Sequence, residues 1–281
     1  MGDLGVKIET VEAEIFNDGV GVAFDPIQPK ESEKQLELQK LISDAMYPEL
    51  IDKYGGQNFL YQRFLLARQM NVKKAEKMVR KCIDIRKEWN LDGEISKSAE
   101  EEERLALIRD KVKPVWVFRI WGFTKHGNVV TYGNIEKLDL KELLKRPEVD
   151  IKRYYLEFLD KIFVMQNYSN SAPRRNSNDE KWKANVEIIN LQGISMAHLH
   201  ISGLRLLNRI LKLAQDVAPE ILGKSYIINA PWFFSGAWAI IKRVLAQEII
   251  DKVTVSSGNC KEEIVEHLGS EELYEDLIKS V

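Results

Sequence analysis

An α/β domain preceded by an all-helical one is the architecture that the sequence predicts, and three observations predict it. From about Lys34 to Asp110 apolar residues recur at helical spacing; at Pro114 the period changes to that of strands; beyond it, short β-branched runs alternate with amphipathic helices. At 281 residues the chain is long enough for a main domain and a smaller attached one. We expect an irregular leader over 1–33, a helical domain over 34–112 and the α/β domain over 113–281.

The leader mixes acidic residues, glycines and two prolines (Pro26 and Pro29) without a sustained period. Two helices follow over Asn58–Met70 and Val72–Trp89. In the second, Val72, Ala75, Met78, Val79, Cys82, Ile85 and Trp89 share one face, and Lys73, Lys74, Lys77 and Arg80 lie mostly off it, as on a solvated side. Glu100 to Glu103, four acids ahead of a helical pattern, suit a helix N-terminus. Val115–Phe123 reads as a strand, and His126–Tyr132 as a turn and a second short strand. Helix and strand then alternate: Ile151–Phe163, strand Val186–Leu191, helix Leu199–Val217, strand Ser225–Ala230, helix Phe233–Ile250 and strand Val253–Ser257. Parallel neighbours need a long crossover and a helix is the usual one, so this alternation implies a mostly parallel sheet. The polar stretch Asn167–Trp182 reads as a surface loop; within it Arg174, Arg175 and Ser177 have the arrangement that a basophilic kinase accepts.

Composition narrows the class. Hydrophobic residues make up 44% and charged residues 30%, with 41 basic against 43 acidic, as in a folded, soluble protein. The formal charge of -2 supplies no general attraction for nucleic acid, so no nucleic-acid partner is expected. Two cysteines, Cys82 and Cys260, exclude a disulfide-stapled scaffold and suit a reducing cytosol. No window approaches a membrane span, and the start MGDLGVKIET has no basic and apolar signal regions. Gly2 is followed by Val6 where a myristoylation motif wants Ser or Thr, so that anchor is not expected.

Catalysis has no obvious owner. There is no GxxxxGK(S/T), no GxGxxG after a strand, no GxSxG and no HExxH, and an enzyme is not expected. His198 and His200 alternate as strand-borne metal ligands do, but without a third ligand nearby they read as surface or helix-cap residues, and no metal is expected. The unusual feature is Ile228–Val253. Trp232, Phe233, Phe234 and Trp238 place four rings within seven residues, and Ile240, Ile241, Val244, Leu245, Ile249 and Ile250 follow. Periodicity alone leaves two accounts level: a buried core helix, or a helix with one face on the domain and another lining a cavity or meeting lipid.

The stretch PEILGKSYIINAPWFFSGAWAIIK, from Pro219, resembles the signature of the CRAL-TRIO family, the lipid-binding fold of phosphatidylinositol transfer proteins. FLYQRFLLARQMNVKKAEKMVRKCIDIRKEW (Phe59–Trp89) is similar to its N-terminal helices, with the RFLRAR core present as RFLLAR, and VEIINLQGISMAHL (Val186–Leu199) to the strand that ends in its DxG(I/L)S turn, here Asn190 to Ser195. The resemblance covers about Leu38 to His267. It implies a helical tripod on an α/β domain whose sheet floors an apolar pocket closed by a gate helix, with one lipid inside and no cofactor. Trp232, Phe233, Phe234, Trp238, Ile241 and Leu245 would form the gate and pocket wall, with Lys242 and Arg243 beside an anionic membrane surface touched in passing.

Residue by residue, the resemblance assigns the phosphoinositide head group to Arg68, Glu220 and Lys252. The family's Lys after the arginine is Gln69 here, and a threonine shortly before the paired Lys is replaced by Ile249. The Ser and Thr that hold the phosphate of phosphatidylcholine fall on Asn185 and Glu187, and one tyrosine of that site on Thr131, which leaves the second ligand open; a carboxylate would repel phosphate. The LPxEYGG-like ending is missing, the chain closing with the helix-like SEELYEDLIKSV. The implied protein is a cytoplasmic carrier of one lipid, with phosphatidylinositol ranked first, that visits membranes transiently. Its rivals are a carrier of a non-phospholipid hydrophobic ligand and a lipid-sensing regulatory or scaffold module.

Overall fold

In the computed structural model, residues 31–92, 98–171 and 182–279 are described. Most of the leader, with Gly2, and the Arg174, Arg175 and Ser177 triplet lie outside them. Among the described residues five helices come first: α1 (Glu33–Ile42), α2 (Pro48–Lys53), α3 (Gln57–Leu66), α4 (Val72–Glu88) and α5 (Ala99–Val112). Caps set their starts. Ser32 makes a capping box with Gln35 at α1, Asn71 accepts from the Lys74 N–H at α4, and Ser98 from the Glu101 N–H at α5. On α4, Val72, Ala75, Met78, Val79 and Cys82 are buried as the spacing predicts, while Lys73, Lys74 and Lys77 are exposed.

The α/β part contains β1 (Phe118–Phe123), β2 (Val129–Asn134), α6 (Leu140–Leu144), α7 (Glu148–Asn170), β3 (Asn185–Asn190), α8 (Ile201–Val217), β4 (Leu222–Ile228), α9 (Phe234–Ile241), α10 (Gln247–Ile250), β5 (Val253–Val255), α11 (Lys261–Leu268) and α12 (Glu271–Lys279). The sheet runs β1-β2-β3-β4-β5 in sequence order, with β1 antiparallel to β2 and the other pairs parallel. Each parallel step is therefore spanned by helix: α7, then α8, then α9 with α10.

Strand alternation separates two faces. Val130, Tyr132, Val186, Ile188, Tyr226 and Ile228 pack beneath Ile264 and Leu268 of α11 and Tyr274 and Leu277 of α12. On the other face the crossover helices stand over the sheet. Helices α1–α4 share one cluster with α7, in which Leu38, Phe64, Val79 and Cys82 meet Leu156, Leu159, Ile162 and Phe163, whereas Leu105, Ile108 and Val112 of α5 pack separately against Trp116 and Tyr154.

Three sequence expectations need correction. The first strand begins at Phe118 rather than Val115, because Lys113–Val115 closes α5 as a 3-10 turn around Pro114. The gate segment is not one helix: α9 stops at Ile241, Lys242–Val244 form a 3-10 turn, and α10 resumes at Gln247. At this break Gln215 of α8 donates to the Val244 carbonyl (2.8 Å) and accepts from the Ala246 N–H (2.9 Å), so a side-chain amide replaces the helical bonds. Finally, Asn167–Asn170 and Trp182 do not belong to a surface loop. α7 runs on to Asn170, and Asn167, Ser169 and Asn170 are buried and donate to backbone: Asn167 Nδ2 to the Asp52 carbonyl (3.0 Å), Ser169 to the Gly127 carbonyl, and Asn170 Nδ2 to the Gln166 carbonyl (2.8 Å). Trp182 packs edge-on to Phe59 at 4.4 Å between centroids and covers the buried Arg63 guanidinium at 4.0 Å.

Candidate functional site

Between the sheet and the crossover helices lies a cavity with about 2220 Å³ of space not filled by atoms, its mouth included. Its floor is the sheet face carrying Thr131, Glu187, Ile189, Ser225 and Ile227. Tyr155, Phe158, Leu159 and Ile162 of α7 and Leu204, Leu207, Ile210 and Leu211 of α8 form the walls. Phe234, Trp238 and Ile241 of α9 and Leu245 beyond it close one side. Phe234, Ala237 and Ile241 recur at three and four residues and are buried, which gives α9 one inward face. The lining is overwhelmingly aliphatic and aromatic, an environment for hydrocarbon.

The other two gate aromatics do not line it. Trp232 is 88% exposed and Phe233 half-buried, the two rings meeting edge to face at 5.9 Å. On the outer side of α9, Gly236 is exposed and a Cβ added there meets nothing within 4 Å. Gly236→Ala is therefore expected to stabilise the protein by about 0.5–1 kcal/mol through reduced unfolded-chain freedom. A thermal midpoint that stays level or falls would contradict this.

A charged cluster occupies the end of the cavity where β3, β4 and β5 begin. Lys252, just before β5, donates Nζ to Glu220 Oε2 at 2.8 Å, and both side chains are about a quarter exposed. Glu220 takes a left-handed backbone conformation (φ 53°) in the link from α8 to β4, which a carboxylate-bearing residue adopts at a cost. Arg68 follows α3 and donates Nη1 to the Ala67 carbonyl at 2.6 Å. It converges with Lys252 on Glu248 of α10: the backbone, the Gln69 amide at 2.6 Å, and the charges of Arg68 and Lys252 together hold the Glu248 carboxyl below its ordinary value. Arg68, Glu220, Glu248, Ile249 and Lys252 all line the cavity. Of these, the sequence reading missed Glu248, whose only signal is its position on the helix before Lys252.

Farther in, Glu187 stands on the floor with Ser225 donating its hydroxyl to Oε2 at 2.9 Å. Its accessible surface borders the cavity; burial by the surrounding protein raises its carboxyl pKa, partly opposed by Ser225. An acid with a raised folded-state pKa costs no stability below its ordinary value of 4.5, where both folded and unfolded forms are protonated, and subtracts stability as pH rises through and above it. Glu187→Gln is thus expected to raise the thermal midpoint near neutral pH and to leave it nearly unchanged at about pH 4. Equal gains at both pH values would refute the assignment.

His198 and His200 bind local backbone through Nδ1. Nδ1 of His198 accepts from the Ser195 N–H at 3.0 Å, and Nδ1 of His200 from the Ser202 N–H at 3.3 Å at the start of α8. Among the described residues no cluster of His, Cys, Asp and Glu fits a metal ion, and no helix is long and apolar enough to cross a membrane.

A family model for the CRAL/TRIO domain matches residues 115–277, more than half of the chain. The chain belongs to the CRAL/TRIO family. Its sequence is 27% identical over 236 residues to the Arabidopsis thaliana phosphatidylinositol/phosphatidylcholine transfer protein SFH7, covering 84% of this chain and 41% of the relative. It is 27% identical over 241 residues to the Sec14 cytosolic factor of Schizosaccharomyces pombe (85% and 77%), and 25% identical over 258 residues to the protein real-time of Drosophila melanogaster (90% and 37%). The chain thus spans about two fifths of the length of the plant and fly relatives and about three quarters of the yeast one. The crystal structure of Sfh5 superposes with a TM-score of 0.57 at 15% identity, covering 94% of this chain and 84% of that one, a likeness of fold. The five-stranded, mostly parallel sheet with its flanking helices is thus a CRAL/TRIO fold, with the N-terminal helices against it.

Proposed function

We propose that this CRAL/TRIO protein binds one phosphatidylinositol molecule in the cavity and carries or presents it between membranes, without catalysis. The observation that carries the reading is the convergence of Arg68, Glu220 and Lys252 at one end of an otherwise apolar cavity. Removing a two-chain lipid from a bilayer exposes methylenes at roughly 0.8 kcal/mol each, so a carrier needs an enclosure as apolar as the one that Leu159, Leu207, Ile227 and Phe234 provide. The phosphate suits Arg68 and the inositol hydroxyls suit the Glu220–Lys252 pair, which offers both an acceptor and a donor. The relatives named as phosphatidylinositol/phosphatidylcholine transfer proteins support the class of cargo.

Exchange requires α9 and α10 to move. The exposed Trp232, with Lys242 and Arg243 exposed at the end of α9, suits transient contact with an anionic membrane surface, and a cytoplasmic setting follows for such a carrier. Mass spectrometry of lipid that co-purifies with the protein tests the reading: phosphatidylinositol in the bound fraction is the expected result. Recovery of only non-phospholipid cargo, together with no transfer of phosphatidylinositol between vesicles, would overturn it.

A further inference from the structure

Two buried side chains hold the link from α8 to β4 at its ends, and Glu220 stands between them. Tyr54, just beyond α2, donates its hydroxyl to the Val217 carbonyl, and Gln166 of α7 donates Nε2 to the Ile221 carbonyl at 2.9 Å. Only Ala218, Pro219 and Glu220 separate the two residues so held. The Ile221 carbonyl also accepts from the Asn185 N–H at 2.8 Å, which ties the same point to β3. The left-handed Glu220 (φ 53°) is therefore kept in its conformation by its surroundings and not by its own preference.

A glutamine amide can face either way, and here its direction is dictated. Gln166 Oε1 accepts from Trp182 Nε1 at 3.2 Å and from Nη2 of Arg63 on α3 at 3.3 Å, which leaves Nε2 to meet Ile221. Gln166 is fully buried and Arg63 is 1% exposed; neither lines the cavity, whereas Glu220 and Ile221 do. Both act on cargo only through what they hold. Arg63 is an expensive residue for that task, since its Nε and Nη1 have no hydrogen-bond partner among the described residues and the rings of Phe163 and Trp182 lie over its guanidinium. Burial lowers its pKa to about 9, which leaves it charged at neutral pH, and Glu220 is the carboxylate whose charge opposes the fall. Glu220 is thus drawn by Lys252 on the cavity side and by Arg63 from within the protein.

We infer that Gln166, oriented by Arg63 and Trp182, is a positioning residue for head-group recognition: it fixes the Ile221 end of the link so that the Glu220 carboxylate meets Lys252 and the inositol hydroxyls in a single arrangement. The inference rests on the reading of that cluster as a phosphatidylinositol head-group site. It gives residues that never touch the cargo a part in choosing it.

A double-mutant cycle with Glu220 tests it, read as affinity for phosphatidylinositol that carries a fluorescent acyl chain. Gln166→Met, close in volume and without the amide, is expected to weaken binding about five- to tenfold. In a Glu220→Gln background the same change should weaken it less than about twofold, because the carboxylate that it positions is already gone. Trp182→Phe keeps a ring over Arg63 and removes one of the two donors that orient the amide, and should show the same pattern at about threefold. It decides the question if Gln166→Met does not fold, as judged by a circular-dichroism melt. A role in packing alone gives losses that are equal in the two backgrounds, and that result overturns the inference, as does affinity within about twofold of wild type in the folded variants. Either outcome sinks this inference alone. Wild type that binds no phosphatidylinositol, or Glu220→Gln protein that binds it as tightly as wild type, sinks the head-group reading with it.

Discussion

Lys252→Ala is expected to lower phosphatidylinositol transfer between vesicles about ten- to hundredfold, the equivalent of one or two charge-assisted hydrogen bonds to the head group. The fold should tolerate the change. The Lys252–Glu220 pair is about a quarter exposed on each side, and a partly solvated ion pair contributes under about 1 kcal/mol. On the proposed reading the loss is larger than stability suggests because Lys252 would donate to the head group as well as orient Glu220 and help hold Glu248 ionised. Removing it leaves the left-handed Glu220 without its ion-pair partner. A transfer rate within about twofold of wild type, in protein whose melt is unchanged, would sink the head-group assignment.

Arg86→Ala carries the largest expected effect on stability, a loss of about 3–5 kcal/mol. Arg86 on α4 is 1% exposed; its Nε and Nη2 meet the two Asp92 oxygens at 2.6 and 2.7 Å, Asp160 of α7 lies 3.5 Å from Nη1, and Tyr47 donates its hydroxyl to Asp92 at 2.8 Å. Burial alone would push the guanidinium pKa down, but Asp160 and Asp92 outweigh it and hold it above its ordinary value. Truncation leaves the Asp92 carboxylate enclosed with its main partner gone, which accounts for the size of the effect. On a chain of this size the thermal midpoint should fall by roughly 10 °C. Arg80 is the internal control: its pairs with Asp44 and Glu76 are more exposed, and Arg80→Ala should lower the midpoint far less than Arg86→Ala. Equal midpoints for the two variants would show that burial does not set the difference.

The sequence discloses what is periodic. α4 and the alternation of strand with helix were legible because three-to-four and two-residue periods survive in single residues such as Val72, Ala75 and Val79, or Val186 and Ile188. Arg68, Glu220 and Lys252 were legible only through resemblance, since each alone reads as a solvated charge. The break after Ile241 was hidden: apolar residues continue at helical spacing to Ile250 with no Gly or Pro to interrupt them, and the interruption is held from outside by Gln215. Asn167 to Asn170 read as loop because polarity stands for exposure, yet their side chains are spent on backbone carbonyls. Glu187 was legible through the resemblance alone, as the replacement of a phosphate-holding Thr; that side of β3 faces the cavity.

Helix α7 has two audiences. Leu159 and Ile162 belong to the cluster that binds the N-terminal helices together, and they are also cavity wall; Met78 of α4 and Ala218 beyond α8 share that double membership. No layer of filler separates cavity from core. On the proposed reading, a bound lipid would give these side chains neighbours on their open flank, so loading and the cohesion of helices α1–α4 would be linked. The tripod would then be a gauge as well as a support: the resistance of those helices to melting would rise with occupancy.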